Sequence, residues 1–124
     1  VGAVAVGRHK QILAQGFNGF PRGIEDTLDR LQDRETKLKY VVHAEMNCIY
    51  NACLNGVSLE GATLFVHGLP VCAHCALGVI QSGIKSVYMR SHVPVKSGWA
   101  ESYRFTSQLF NEAGIGHKFY GEFA

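Results

Sequence analysis

Two short segments of this 124-residue chain carry side chains of the types and spacing that build a metal centre. They are His43-Ala44-Glu45 and Pro70-Val71-Cys72-Ala73-His74-Cys75. Together they supply one imidazole, one carboxylate and a Cys-x-x-Cys pair. One nitrogen and two sulfurs suit a catalytic zinc with three protein ligands and a fourth position left for water. Zinc lowers the pKa of such a water to about 7, so hydroxide becomes available at neutral pH. Glu45 follows His43 by two positions and cannot share its helical face. It can still project into the same cavity without ligating. A carboxylate there can take a proton from water and hand it to a ring nitrogen and then to a leaving amine.

The same residues admit a plainer reading. A structural zinc site is closed by four ligands, and here the fourth could be His74, His67 or Cys48. A lone Cys-x-x-Cys pair could also be redox active. The presence of Glu45 beside His43 favours the catalytic reading, with His74 pointing away from the metal.

The elements that must position these groups can be traced along the chain. Residues 2–6 and 11–15 form two strands joined by a turn near 7–10, a hairpin. Phe17-Asn18-Gly19-Phe20-Pro21-Arg22-Gly23 is an ordered loop, punctuated by glycine and proline. Residues 24–39 are heavily charged and read as a solvated surface with some helical turns. A helix starts near His43 and runs to about Leu54, where Asn55-Gly56 stops it. A buried strand spans 62–66, and a second helix spans 73–81, starting at the cysteine pair. Strand 86–89, a loop over 90–98, a third helix over 99–113 and a strand over 117–120 complete the order. His43 and Cys72 each fall at a helix start. Two helix N-termini facing one another would gather His43, Cys72 and Cys75 around one ion, and the helix dipoles would favour thiolates. A hairpin followed by alternating helices and strands implies an α/β fold, a three-layer α-β-α sandwich with a central mixed sheet.

Size and composition bound the function. The length predicts one domain, residues 1–124. Hydrophobic residues make up 47% of the chain, enough for a single core, and the formal net charge is +2. That charge is too weak to argue for nucleic acid, but a phosphorylated small molecule needs only one or two local cations. Four cysteines without a disulfide pattern favour a reducing compartment. With no long apolar run and no signal peptide, the expectation is a cytoplasmic protein with no membrane partner. The chain opens on a buried strand without an initiator Met, so a preceding segment is expected in the native protein.

With these residues in view, the chain resembles the cytidine and deoxycytidylate deaminase superfamily, and most of all its deoxycytidylate branch. The His-x-Glu and Cys-x-x-Cys set is similar to the signature of zinc nucleobase deaminases. Phe17–Gly23 is similar to the branch's G-[YFW]-N-G-x-P loop. His43-Ala44-Glu45-Met46-Asn47-Cys48-Ile49 resembles its H-A-E-x-N-A-I helix start. Gly78-Val79-Ile80-Gln81-Ser82-Gly83-Ile84-Lys85 resembles the segment that follows its cysteines.

The resemblance implies a cytidine-deaminase-like fold and one zinc ion held by His43, Cys72 and Cys75, with Glu45 as the proton shuttle. It implies substrate contacts from Asn18, from the backbone of Ala44 and from Arg22 as a phosphate reader. The implied reaction is conversion of dCMP to dUMP and ammonia. Dimers or hexamers, effectors such as dCTP and dTTP, and Mg2+ accompanying a triphosphate effector are implied as well. Three features depart from the pattern. Val71 stands between Pro70 and the first cysteine, Cys48 replaces an alanine, and a helix before the first strand is lacking.

Arg90, His92 and Lys96 form a second cationic loop that could read phosphate in place of Arg22. Trp99 is expected to be a packing anchor, with closure over a substrate base as its alternative. Two rival functions remain: a deaminase of nucleic-acid bases of the tRNA adenosine type, and a noncatalytic nucleotide-binding domain with structural zinc. The weak charge and the Asn18-Gly19-Phe20-Pro21 loop favour the free nucleotide.

Overall fold

Small and β-branched residues alternate in Gly2-Ala3-Val4-Ala5-Val6, so one face of this segment is nearly flush with its own backbone. In the computed structural model, which describes residues 1–91 and 97–120 (side chains of 97 and 98 excepted), this segment is strand β1 (Gly2–Val6). It pairs antiparallel with β2 (Ile12–Phe17) on one side and with β3 (Thr63–Gly68) on the other. β3 continues in parallel to β4 (Ser86–Ser91), and β4 to β5 (Gly116–Tyr120), giving the order β2-β1-β3-β4-β5. Parallel neighbours need long crossovers, usually helices. Here these are α4 (Ala73–Gln81) between β3 and β4 and α5 (Ser97–Ala113) between β4 and β5. The mixed sheet and its hairpin start are as expected from the sequence.

The charged segment resolves into two short helices, α1 (Leu28–Gln32) and α2 (Arg34–Tyr40), neither of which buries a residue. Helix α3 (Ala44–Leu54) follows and lies against β1 and β2. Its contact surface is made of small side chains: Ala3, Ala5 and Ala14 on the strands, Ala44, Cys48 and Ala52 on the helix, all buried in one core. Gly16 completes the strand side. A Cβ built there would sit 2.4 Å from the Cys48 backbone nitrogen and 2.7 Å from the Ala44 carbonyl oxygen. The absence of side chains is what lets the helix settle this close to the sheet.

Leu64, Val66, Val87 and Met89 continue the core under α4, which contributes Cys75, Ala76 and Val79, while α5 contributes Phe110. Gly78 of α4 meets the Met46 side chain of α3, so the two helices that begin at candidate ligands touch directly. Both α3 and α5 stop at a glycine with positive φ, Gly56 (68°) and Gly114 (76°). In each case the next N–H reaches back five residues, Val57 to Ala52 at 2.9 Å and Ile115 to Phe110 at 2.8 Å. This is the closure that an αL glycine permits.

On the opposite face of the sheet, Phe65, Tyr88 and Tyr120 form a row of rings, 5.5 Å and 5.9 Å between successive centroids. They border a groove of about 880 Å³. Arg90 lies there too, exposed on β4. His92 and Lys96, the rest of the proposed cationic loop, lie outside the described residues. Among the described residues, no helix is long and apolar enough to cross a membrane.

Candidate metal centre and catalytic site

His43 and Cys72 each occupy the N-cap position of a helix, with extended backbone (φ −67°, ψ 153° and φ −73°, ψ 160°). An N-cap residue lies half inside its helix and points its side chain off the end. With α3 and α4 side by side, both ends open on the same place. His43 Nδ1 lies 3.2 Å from Cys75 Sγ and 3.6 Å from Cys72 Sγ. All three ligand atoms fall within 4.8 Å of one another. A tetrahedral zinc with bonds of about 2.1 Å to nitrogen and 2.3 Å to sulfur has nitrogen–sulfur edges of roughly 3.6 Å. The donor set and its spacing therefore fit zinc, with His43 turning Nδ1 toward both sulfurs.

No further His, Cys, Asp or Glu joins the cluster among the described residues. His74 is exposed between the cysteines, as expected. Cys48 is fully buried in the core, and burial pushes its thiol up to about 11. Three ligands and an open position are the pattern of a catalytic zinc rather than a structural one.

The electrostatics prepare the ligands. Cys72 titrates far below an ordinary thiol, at about 4, because the Cys75 thiol donates to its sulfur and His43 sits beside it. Cys75 is raised in turn, since it holds the proton the pair shares, and burial and Glu45 act in the same direction. His43 is raised, chiefly by its hydrogen bond with Cys72, against the opposing effect of burial. Glu45 is only 3% exposed and lies in the first turn of α3. Burial raises its carboxyl above the ordinary range, partly offset by hydrogen bonding to Cys75 and by His43. A buried carboxyl poised to hold a proton beside a metal cluster is the arrangement that proton transfer requires.

His43 and Glu45 line a small cavity, about 40 Å³, together with Val1, Asn18, Leu69, Pro70 and Trp99. None of His43, Glu45, Cys72 and Cys75 borders the large groove behind the sheet, which takes His67 instead, so this hollow is the candidate site. Trp99 is both a wall and a neighbour of the metal ligand, its ring 6.5 Å from that of His43. The sequence reading favoured packing for this residue. Its signal as a cavity residue was its place at the start of the helix that follows β4.

Asn18 and Ala44, both expected at the substrate, meet each other: the Asn18 Oδ1 accepts from the Ala44 N–H at 2.7 Å. The N-cap residue of α3 is a candidate metal ligand with no side-chain cap hydrogen bond of its own, so a side chain from the loop after β2 serves the first amide instead. Arg22 is placed elsewhere. The turn at Pro21 carries it over the outer side of α3, where its guanidinium donates to Asn51 Oδ1. It borders a surface pocket of about 480 Å³ with Phe20, Tyr50 and Asn51, and does not line the cavity of His43 and Glu45.

Two contacts had no sequence signal. The Ala73 N–H, first amide of α4, donates to Ser102 Oγ at 3.0 Å, and Thr106 Oγ1 donates to the Val71 carbonyl at 2.9 Å. Both hydroxyls come from α5, about thirty residues away. Only the four-residue spacing of Ser102 and Thr106 could have hinted at a shared face.

Comparison with known proteins agrees with this geometry. The cytidine and deoxycytidylate deaminase zinc-binding region matches residues 1–91. An uncharacterized deaminase of the luxG 3′ region of Aliivibrio fischeri is 37% identical over 116 residues, 93% of this chain and 75% of that protein. Human deoxycytidylate deaminase is 37% identical over 120 residues, again 93% of this chain but 64% of the human protein, so the chain spans under two thirds of that relative. The crystal structure of cyanophage S-TIM5 dCMP deaminase in complex with dCMP and dUMP superposes with a TM-score of 0.69 at 27% identity. That match covers 96% of this chain and 79% of the phage chain. The cluster His43, Cys72 and Cys75, the buried Glu45 beside it and the matched region together place this chain in the cytidine and deoxycytidylate deaminase family, whose domain binds zinc.

Proposed function

We propose that this chain is a zinc-dependent hydrolytic deaminase of a free pyrimidine nucleotide, converting dCMP to dUMP and ammonia. The observation that carries the reading is the three-ligand cluster with a buried carboxyl beside it and no fourth ligand among the described residues. When bound, zinc supplies a Lewis acid that makes hydroxide available at neutral pH.

The chain's own residues account for the rest. His43, Cys72 and Cys75 hold the metal. Glu45 accepts a proton from water on a carboxylate oxygen and gives it to N3 of the ring as water oxygen bonds to C4. A second transfer through Glu45 protonates the exocyclic amine, the C4–N4 bond breaks and ammonia leaves. Burial raises the Glu45 carboxyl above the ordinary carboxylate range, which helps it hold the proton it relays. The Trp99 ring bounds the space the base would enter and keeps bulk water from it. Asn18 orients the substrate through its amide while tethering Ala44, and Arg22 serves phosphate only if its loop swings from Asn51.

The chain acts as one domain, in the cytoplasm and as a homo-oligomer. Effectors of the dCTP and dTTP type, with Mg2+ on the triphosphate, belong to the same reading. The relatives named deoxycytidylate deaminase support the nucleotide, and the weak net charge argues against nucleic acid.

Ammonia release from dCMP, deoxycytidine, dCTP and a single-stranded oligonucleotide, each with and without dCTP and Mg2+, tests the substrate. Preference for dCMP is expected. Turnover confined to the oligonucleotide, with steep loss in salt, would replace the reading. Tight dCTP binding without turnover of any substrate would favour a noncatalytic domain.

A further inference from the structure

A helix is ordinarily capped by the side chain of its own N-cap residue. Cys72 occupies that position on α4 but must spend its sulfur on the metal. Its sulfur accepts the Cys75 N–H at 3.4 Å, an ordinary length for sulfur, which is a weak acceptor. The first amide of the helix, Ala73 N–H, is served from outside by Ser102 Oγ at 3.0 Å. On the other side of Cys72, Val71 is fully buried, so its carbonyl needs a donor within the protein. Thr106, itself fully buried, donates to it at 2.9 Å. Among the described residues, the Val71 N–H reaches Met89 Sδ, a weak acceptor, at 3.5 Å. The backbone is thus tethered to α5 on both flanks of the ligand.

The tether answers a local need of this sequence. Proline fixes its own φ, but Val71 separates Pro70 from the ligand, so that restraint stops one residue short of Cys72. We propose that Ser102 and Thr106, one turn apart on α5, are positioning residues of the metal centre, holding Val71 to Ala73 so that Cys72 and Cys75 face the ion together. They touch neither metal nor substrate and act through the backbone, as groups around metal ligands commonly do. The other ligand helix is built alike, since Asn18 caps Ala44 behind His43.

The inference rests on the zinc reading of the site, and its test reads metal directly. Zinc affinity is measured by competition with a chromophoric chelator for wild type, Thr106→Val, Thr106→Ser, Ser102→Ala and Ser107→Ala, alongside kcat/KM for dCMP. Ser107 bonds His117 Nε2 at 2.9 Å on the same helix but does not reach the ligand segment, so it reports general loosening of α5. Zinc dissociation constants should rise about tenfold in Thr106→Val and Ser102→Ala. Thr106→Ser should restore the wild-type value, and Ser107→Ala should keep it. Ser102→Ala lies at a half-buried position, so the test survives if Thr106→Val fails to fold. Wild-type affinity in Ser102→Ala and Thr106→Val overturns the inference, as does an equal loss in Ser107→Ala. A wild-type chain that takes up no zinc would instead refute the reading of the site itself.

Discussion

Gly16→Ala should disable the site from behind. The added Cβ would lie 2.4 Å from the Cys48 backbone nitrogen, 2.7 Å from the Ala44 oxygen and 2.8 Å from the Asn47 carbonyl carbon, where ordinary contact begins near 3.4 Å. All three atoms are backbone of α3, so no rotamer can relieve the clash. Helix and strand must part by about 1 Å. Overpacking of this kind costs about 1–3 kcal/mol, which in a domain of this size lowers Tm by several degrees per kcal/mol. The helix that moves carries His43 and Glu45, while Cys72 and Cys75 stay with α4. A misplacement of about 1 Å between catalytic groups costs on the order of 10²-fold in rate. Thermal denaturation and kcat/KM measured on the same preparations test both parts. Gly2→Ala is the control, because nothing lies within 4 Å of a Cβ there. Wild-type Tm and wild-type kcat/KM in Gly16→Ala would refute the packing argument. Loss of Tm with unchanged kcat/KM would refute the claim that this contact positions the site.

Other consequences follow from the same geometry. Cys72→Ala removes one of three ligands and should abolish stoichiometric zinc in purified protein; full zinc content by elemental analysis would contradict the ligand assignment. In metal-free protein, burial holds the Glu45 carboxyl above the ordinary range, so the folded chain keeps a proton that the unfolded chain has released. Stability should therefore fall as pH rises from ordinary carboxylate values through the raised one, and Glu45→Gln should erase that part of the profile. Urea titrations across this window check it, and a wild-type minus variant difference that does not change with pH would refute it. Among the thiols outside the cluster, exposed Cys53 should be alkylated in the native state while buried Cys48, with its thiol pushed up to about 11, stays protected. Equal labelling would contradict the core assignment.

Much of this site was legible in the sequence because its ligands sit at helix starts, and helix starts have local signals. His43 and Cys72 fall one residue before the first helical positions, where helix starts near His43 and at the cysteine pair were expected. The mixed sheet followed from the order of elements. What escaped are relations between distant segments. Asn18 was read as a substrate group from its loop, but its bond to Ala44 exists only once β2 lies beside α3. The resemblance implies Arg22 as a phosphate reader, and the turn at Pro21 brings it to Asn51. Ser102 and Thr106 look like ordinary helix residues until α5 packs on the ligand segment. The charged residues 24–39 form two short helices whose exposure agrees with a solvated face, though their boundaries had no apolar periodicity to mark them.

The central claim is that Glu45, beside a zinc held by His43, Cys72 and Cys75, carries the protons of a deamination. The direct measurement is dCMP turnover by wild type and Glu45→Gln at matched zinc content. The account expects one dUMP and one ammonia per dCMP consumed by wild type, and a variant slower by about 10²–10⁴-fold with zinc retained. Equal rates in the two proteins, or no turnover of dCMP by a zinc-loaded wild type, would contradict it.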